Sequence, residues 1–423
     1  MTQWLLQGIP AYTDGELLPT LYNLGSGLAD DSAGASDEDS YMHIVRSTSE
    51  DAFLRWCSEV ETGGFAQLFC RKTDSGLYVE YSKQDILLYA YYTPCDNSAR
   101  ILRDGASVSV PAFNSPCGCE KHADTQLMQF GLLYDNMIRW TSCDCGMNYV
   151  LRLRDGRLIV IDGGEMEQAT ETAVGEFMKR VRGLTGTNEG DPLTIAMWFC
   201  THPHDDHMDF FLKLLRKFGD LLHVERLFFN FAAHSVLDLP DYIAPMRALL
   251  REKCPDALFL KPHTGQQFHI GNVCVDVLFT HEDLLAWEEE TPDYYGINST
   301  STIVKFSFED HSFLVLADAN DEAGDVLCQR YPDGISCTFV QAAHHLINRV
   351  EHIYKLVRSE YVLIPEGRYL VHKNLRRNWA VICKYNDPDK IFLAGDYSAV
   401  FRVGGSDIEI DYYPLRGCLY DGT

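Results

Sequence analysis

The sequence predicts an α/β (α+β) layered protein preceded by a smaller α+β unit. Three observations carry that prediction. From Tyr149 onward, short apolar runs alternate with stretches whose apolar residues recur at helical spacing, the pattern of strands and helices packed in layers. One such run, Ile195–Cys200, ends directly in THPHDDHMD (Thr201–Asp209), so three histidines and three aspartates stand at the mouth of a buried strand. Before residue 105 the pattern differs: one helical stretch lies among several strand-like runs, and no catalytic side chains gather there.

The N-terminal elements follow from local signals. Gly25–Ser40 is small, acidic and turn-rich, and predicts an exposed loop. Tyr41–Arg46 alternates as a strand. Ser47, Thr48 and Ser49 then offer helix caps, with Glu50 and Asp51 in the first turn and Phe53, Trp56, Cys57 and Val60 on one face. Gly63-Gly64 ends that helix. Strand-like runs follow at Phe65–Arg71, Leu77–Tyr81, Ile86–Tyr92 and Ala99–Leu102. The expected organisation is an accessory unit over residues 1–105, a connector over 106–127 and the main domain over 128–423.

In the main domain, Tyr149–Arg154 and Arg157–Ile161 predict a hairpin with a type I′ turn at Asp155-Gly156, closing in Asp162-Gly163-Gly164. Ala173, Phe177, Met178 and Val181 mark a helix, as do Phe210, Phe211, Leu214, Leu215 and Phe218. Val224–Phe231, Phe268–Phe279 (turning at Gly271-Asn272), Ser301–Phe308, Ser312–Leu316, Thr338–Ala342, Tyr361–Ile364, Ile391–Leu393 and Ala399–Val403 read as strands. Pro240–Lys253 reads as helix. His281–Thr300 reads as a long acidic loop with Trp287, Tyr294 and Tyr295, of a length that is often functional.

Composition narrows the functional classes. Apolar residues make up 46% of the 423-residue chain, which describes a globular protein with a large core. No apolar run reaches the roughly 18 residues of a membrane span, and the N-terminus carries no basic, signal-like region. A cytoplasmic, membrane-free protein is expected. The net charge of −25 argues against long nucleic acid as a partner. The oligomeric state is left open. Fourteen cysteines in a chain of this length do not make a disulfide scaffold. Cys200, Cys274, Cys328 and Cys337 read as small buried hydrophobes. Cys117-Gly-Cys119 and Cys143-Asp-Cys145 read either as loop cysteines or as a Cys₄ zinc site.

His202 and His204 stand two apart, so both rings point to one side of an extended segment. Asp206 and His207 follow where the chain turns towards a helix. Nitrogen and oxygen donors at this spacing suit zinc or another borderline divalent ion.

The motif HPHDDH at 202–207 resembles the HxHxDH signature of the metallo-β-lactamase superfamily. Upstream, LIVIDGG ends in Asp162, Gly163 and Gly164, like that family's entry hairpin. Downstream, FLVLADAN places Asp318 at the position of the metal-bridging aspartate, and FVQAAHH places His344 and His345 at the last histidine ligand. The stretch from Asn298-Ser299-Thr300-Ser301 to the double histidine is similar to the hydrolase domains of competence (DNA-uptake) proteins. The resemblance spans about residues 128–420. It implies a four-layer αββα fold and hydrolysis by a metal-bound hydroxide, with two zinc ions (or manganese or iron) about 3.5–4 Å apart.

In that scheme His202 and His204 hold the first ion. Asp206, His207 and one of His344 and His345 hold the second. Asp318 bridges, Asp206 doubles as proton shuttle, and Asp162 orients a ligand histidine. Three positions depart from the pattern: Met208, Ala317 and Leu346 stand where glycine is usual. The first ion also lacks a further histidine, for which His234 and His263 are the candidates. A basic cluster, Arg368, His372, Lys373, Arg376 and Arg377, suits an anionic substrate, with Arg376, Lys373 and Tyr295 as candidate contacts. The resemblance implies a phosphodiester or other small anionic substrate. An acyl (lactone or amide) hydrolase and a degenerate metal-binding interaction protein are the alternatives.

Overall fold

A computed structural model describes residues 3–24, 39–105, 108–131, 146–164, 171–232, 243–286, 296–367, 371, 376–395, 397–404 and 407–414. Two sheets form its centre. The first runs in the order Leu258–Leu260, Arg226–Phe228, Leu193–Phe199, Leu158–Ile161, Tyr149–Arg152, Thr125–Gln129, Tyr397–Gly404, Asp407–Pro414, with Leu222–Val224 also pairing to Leu193–Phe199. The second runs Gln267–Ile270, Val273–Phe279, Ile303–Phe308, His311–Val315, Ile335–Gln341, Val357–Ile364, Ile391–Leu393.

The cores show the layering. Leu127, Tyr149, Ile159, Ile161, Met197 and Phe199 from the first sheet meet Phe268, Val304, Phe306, Phe313, Val315 and Phe339 from the second in one buried cluster. The outer face of the first sheet packs on helices Glu171–Thr185, Asp205–Phe218 and Ile243–Lys253. The outer face of the second packs on Asp321–Arg330, Glu351–Leu356 and Arg376–Tyr385. The result is helix, sheet, sheet, helix, the expected αββα arrangement. No described helix is long and apolar enough to cross a membrane.

Sequential strand pairs within both sheets are parallel from Leu158–Ile161 outward to Leu258–Leu260, and from His311–Val315 outward to Ile391–Leu393. Parallel strands buried on both faces read as unbroken apolar runs. Their C-terminal ends deliver Asp162, His202, Asp318 and His344-His345 to the same edge of the sandwich.

Several local expectations need correction. The turn after Tyr149–Arg152 has positive φ at Gly156 alone (φ 86), so it is not type I′, which needs it at both central residues. Gly156 N–H donates to Leu153 O and Leu153 N–H to Arg157 O, which makes a three-residue loop with glycine in the left-handed position. Val224–Phe231 is interrupted at Glu225, between Leu222–Val224 and Arg226–Phe228. The long loop at 281–300 opens with a 3-10 turn, His281–Ala286, and closes with a second, Ile297–Thr300. Cys200 and Cys337 are buried as expected, but Cys274 and Cys328 are only half-buried. Cys117 and Cys119 are exposed, while Cys143 and Cys145 fall outside the described residues. Most of Gly25–Ser40 also falls outside them, although Ser40 itself is buried and donates to Asp104.

The N-terminal residues build a third sheet in the order Glu16–Leu17, Tyr41–Arg46, Ser98–Asp104, Ile86–Thr93, Gly76–Lys83, Ala66–Thr73. The helix Glu50–Thr62 is capped by Ser49, whose side chain accepts from Ala52 N–H, and covers one face. Tyr78, Tyr89 and Tyr91 alternate onto the other face. That face packs on the segments around Thr264 and Asp283 through buried polar contacts. Tyr89 Oη donates to Thr264 O at 2.8 Å and Tyr91 Oη to Asp283 at 3.0 Å. Arg330 grips Asp283 with two bonds of 2.6 and 2.8 Å. His263 sits between Asp104 (2.8 Å) and Glu282 (2.6 Å). Burial opposes a charge on His263, yet Glu282 and Asp104 lift its pKa to about 10. Gly265 (φ 86) passes so close that a Cβ would lie 1.9 Å from the Tyr78 ring.

Candidate metal centre

The strand Leu193–Phe199 leads through Thr201 and His202 straight into the helix Asp205–Phe218. Asp206 and His207 therefore lie in that helix's first turn, where the macrodipole favours acidic groups. The helix is pressed against the Asp162-Gly163-Gly164 loop. Gly163 N–H donates to His207 O at 2.6 Å, Phe210 N–H donates to Gly164 O at 2.9 Å, and a Cβ on Gly163 would lie 2.4 Å from Phe211 Cβ. The double glycine is thus needed for close approach as well as for turning.

Among the described residues, two groups bring ligand atoms within 4.8 Å of one another: Asp206, His207, Asp318 and His345, and His202, His204 and Asp318. In the first group His345 Nε2 lies 3.0 Å from Asp206 Oδ2 and 3.2 Å from His207 Nε2. Asp318 Oδ1 stands 3.2 Å from His207 Nε2 and 3.4 Å from His345 Nε2. In the second, His202 Nε2 lies 3.1 Å from His204 Nδ1 and 3.6 Å from Asp318 Oδ2. Asp318 faces both groups, one carboxylate oxygen to each.

The outer partners of these rings fix which nitrogen faces inward. His345 Nδ1 lies 3.0 Å from the Pro365 carbonyl, which only accepts, so Nδ1 carries the proton and Nε2 points its lone pair into the group. His207 Nδ1 donates in the same way to Asp162 Oδ2 at 2.6 Å. Thr201 donates its hydroxyl to that same oxygen at 2.7 Å and its N–H to Asp162 Oδ1 at 2.7 Å. The hydroxyl is then free to accept from His202 Nδ1, 3.1 Å away. One buried carboxylate orients a ring in each group, directly for His207 and through Thr201 for His202. Burial pushes the Asp162 carboxyl above its usual range, against the pull of His207 and Thr201.

Two imidazole nitrogens and two carboxylates thus converge. Asp318 Oδ1 is buried and accepts no hydrogen bond, which in a native interior calls for an explanation. The electrostatics agree. Burial works against charge on His345, yet Asp318 and Asp206 lift its pKa to about 9. His207 is likewise raised well above the imidazole range by Asp318, Asp206 and Asp162 despite its burial. The Asp206 carboxyl falls below its ordinary range, because His207 and His345 outweigh its burial. The pocket stabilises positive charge, and the donor set of nitrogen and oxygen atoms fits a divalent metal.

The backbone is strained here. Asp162 (φ 53), Ala317 (φ 49), His344 (φ 47), His345 (φ 49) and Leu346 (φ 67) all take left-handed conformations, a cost of about 1–2 kcal/mol for each non-glycine residue. Ala317 and Leu346 are two of the positions where glycine was expected, and both hold the conformation glycine would take. The third, Met208, is helical and fully buried in the core. The three departures leave the cluster intact.

The structure places the other candidates as follows. His263 is held between Asp104 and Glu282 and belongs to neither group, so it is not the extra ligand. His234, Arg368, His372, Lys373, Tyr294 and Tyr295 fall outside the described residues; Arg376 and Arg377 open an outer helix and are exposed. Sequence reasoning singled out Asn298–Ser301 as part of the resemblance but missed that this turn ties the loops together. Thr302 N–H donates to Thr201 O (3.0 Å), Asp318 N–H to Ser301 Oγ (3.3 Å), and Asn298 Nδ2 to His344 Nε2 (3.2 Å). It missed the Thr201 relay and the Pro365 carbonyl as well.

No family model matches the sequence, and no curated protein matches it. Solved structures do resemble it. The metallo-β-lactamase fold protein YhfI from Bacillus subtilis is 11% identical, with a TM-score of 0.39 over 64% of this chain and 96% of that one. A mutant of the β-hydroxylase CmlA is 13% identical, with a TM-score of 0.40 over 68% of this chain and 55% of that one. CmlA from Streptomyces venezuelae, a diiron β-hydroxylase, is 14% identical, with a TM-score of 0.34 over 57% and 44%. The chain thus spans about half the length of CmlA.

Proposed function

We propose that this chain is a metal-dependent hydrolase with two ions at the Asp318 carboxylate, acting on a small anionic substrate, a phosphodiester. The observation that carries the reading is the convergence of Asp206, His207, Asp318 and His345 around a buried carboxylate oxygen with no donor, beside His202 and His204 on its other oxygen. A pair of divalent ions supplies Lewis-acid polarisation of the scissile group and an attacking water of lowered pKa.

The chain's own residues have separable tasks. His202, His204 and Asp318 would hold one ion, and Asp206, His207, Asp318 and His345 the other. Asp162 and Thr201 keep the ring nitrogens of His202 and His207 aimed inward. Asp206 retains 15% side-chain exposure where Asp318 has 1%. It is the carboxylate with access to solvent, which supports the reading that it would act as the proton carrier. His202, His207 and His345 are buried, which confines substrate to the side opened by His204, Asp206 and His344. The phosphodiester choice is supported by the similarity of Asn298–Ser301 and the double histidine to the competence-type branch. The −25 charge supports a small diester over a polymer. Zinc- or manganese-loaded protein is expected to cleave bis(p-nitrophenyl) phosphate. Lactone opening with no diester cleavage would replace the diester by an acyl substrate.

A further inference from the structure

The two groups are unequal. One has four protein ligands, the other only His202, His204 and the shared Asp318. Closed zinc sites favour four ligands, and catalytic ones keep at least three from the protein beside an open position. Because Asp318 is shared by both groups, the smaller one has only two ligands of its own. The described histidines upstream of Asp318 do not supply the missing nitrogen. His263 lies between two carboxylates, His281 bonds Asn230, His223 and His269 are exposed on strands, and His311 faces Thr338.

The Asp318 carboxylate shows where the nitrogen comes from. Its Oδ1 faces His207 (3.2 Å) and His345 (3.4 Å). Its Oδ2 faces His202 (3.6 Å) and, at 3.7 Å, His344 Nε2. The two adjacent histidines are therefore split across the bridging carboxylate, one to each side. Their left-handed backbones (φ 47 and φ 49) are what turn successive side chains inward, with ring centroids 6.3 Å apart and planes at 68°. His344 keeps 18% side-chain exposure, so it stands on the open side of the site, and its Nδ1 is buried with no hydrogen-bond partner.

We propose that His344 is the third nitrogen ligand of the ion held by His202, His204 and Asp318, while His345 serves the other ion. The first site is then three nitrogens and an oxygen, and the second two nitrogens and two oxygens. His344 does not lie within 4.8 Å of all three partners, so its ring would have to turn to join them. In doing so it gives up the bond from Asn298 Nδ2 to Nε2. Asn298 is thus a competitor for that nitrogen and not a ligand. This inference rests on the dinuclear reading above and can fail separately from it.

The test is a metal titration of the full chain, stripped and reloaded with zinc or cobalt against a competing chelator. Wild type is expected to take two equivalents. His344→Gln should weaken the first ion by about 100-fold or more and leave the second unchanged; His345→Gln should do the reverse. Loss of a mere outer partner costs about 10–100-fold. His344→Cys should restore binding and add a cobalt–thiolate charge-transfer band, a readout independent of catalysis and of any folding defect in the glutamine variant. Asn298→Ala should bind the first ion at least as tightly as wild type. Two equivalents held by His344→Gln within threefold of wild type, with no thiolate band in His344→Cys, overturn the assignment and leave the dinuclear reading standing. So does loss of the first ion in Asn298→Ala alone. Fewer than one equivalent in wild type overturns both.

Discussion

Replacing Asp162 with asparagine keeps the shape of a fully buried side chain and changes only which of its atoms can accept. Oδ1 still accepts from Thr201 N–H, now at 2.7 Å. The amide NH₂ then occupies the place of Oδ2, where two donors meet it: the Thr201 hydroxyl at 2.7 Å and His207 Nδ1 at 2.6 Å. The hydroxyl can reverse and accept from the amide, but it then donates to His202 Nδ1, 3.1 Å away. Both rings respond by moving their proton to Nε2, the nitrogen that faces the groups around Asp318. One isosteric substitution so converts an acceptor to a donor in each half of the centre. Outer partners of metal-bound histidines are worth about 10–100-fold in affinity, or about 1.4–2.7 kcal/mol, for each ion. Zinc affinity by chelator competition is the assay, with circular dichroism to confirm that the variant is folded. A folded Asp162→Asn protein that binds both ions within threefold of wild type would refute the tautomer argument.

Three further outcomes follow from the packing and the buried charges. Gly163→Ala puts a Cβ 2.4 Å from Phe211 Cβ and 2.7 Å from Phe211 N; a loss of about 1–3 kcal/mol in urea unfolding is expected, with weaker metal binding because the helix bearing Asp206 and His207 must move. Asp283→Ala leaves Arg330 buried without the carboxylate it grips twice and takes away the acceptor of the Tyr91 hydroxyl; a loss of about 3–5 kcal/mol is expected, and an unchanged midpoint would show that the N-terminal sheet is not anchored there. Stability should fall as pH rises. His263, lifted to about 10 by Glu282 and Asp104 against its burial, contributes fully below its ordinary pKa of about 6.5 and loses that contribution as pH climbs towards 10. Glu80, pushed up to about 7 by burial, adds a decline between about pH 4.5 and 7. Urea midpoints across this range check the sign, and Glu80→Gln should flatten the lower part.

The parts of the fold legible in the sequence were those set by local rules. Ile195–Phe199 is an unbroken apolar run because both faces of its parallel strand are covered, and Ser49 caps its helix through its own turn. His202, His204, Asp206 and His207 were visible because they sit within six residues of one another. What the sequence concealed depends on distant approach. Nothing local marks Thr201 as a relay to Asp162, or Asn298, Ser301 and Thr302 as ties between three loops. His263 passed for a spare ligand because its partners, Asp104 and Glu282, come from different parts of the chain. The tyrosines at 78, 89 and 91 read as ordinary strand alternation, and only Thr264 and Asp283, distant in sequence, show why the hydroxyls of Tyr89 and Tyr91 are there. The positive φ at Ala317 and Leu346 was hinted at by the glycines expected in their places.

The most direct test of a dinuclear centre is the metal content of the whole chain. Protein stripped of metal, reloaded with zinc and freed of excess by gel filtration should carry two zinc equivalents by elemental analysis. Asp318→Ala, which removes the carboxylate shared by both groups, should carry fewer than one. Wild-type protein that itself retains fewer than one equivalent would contradict the account.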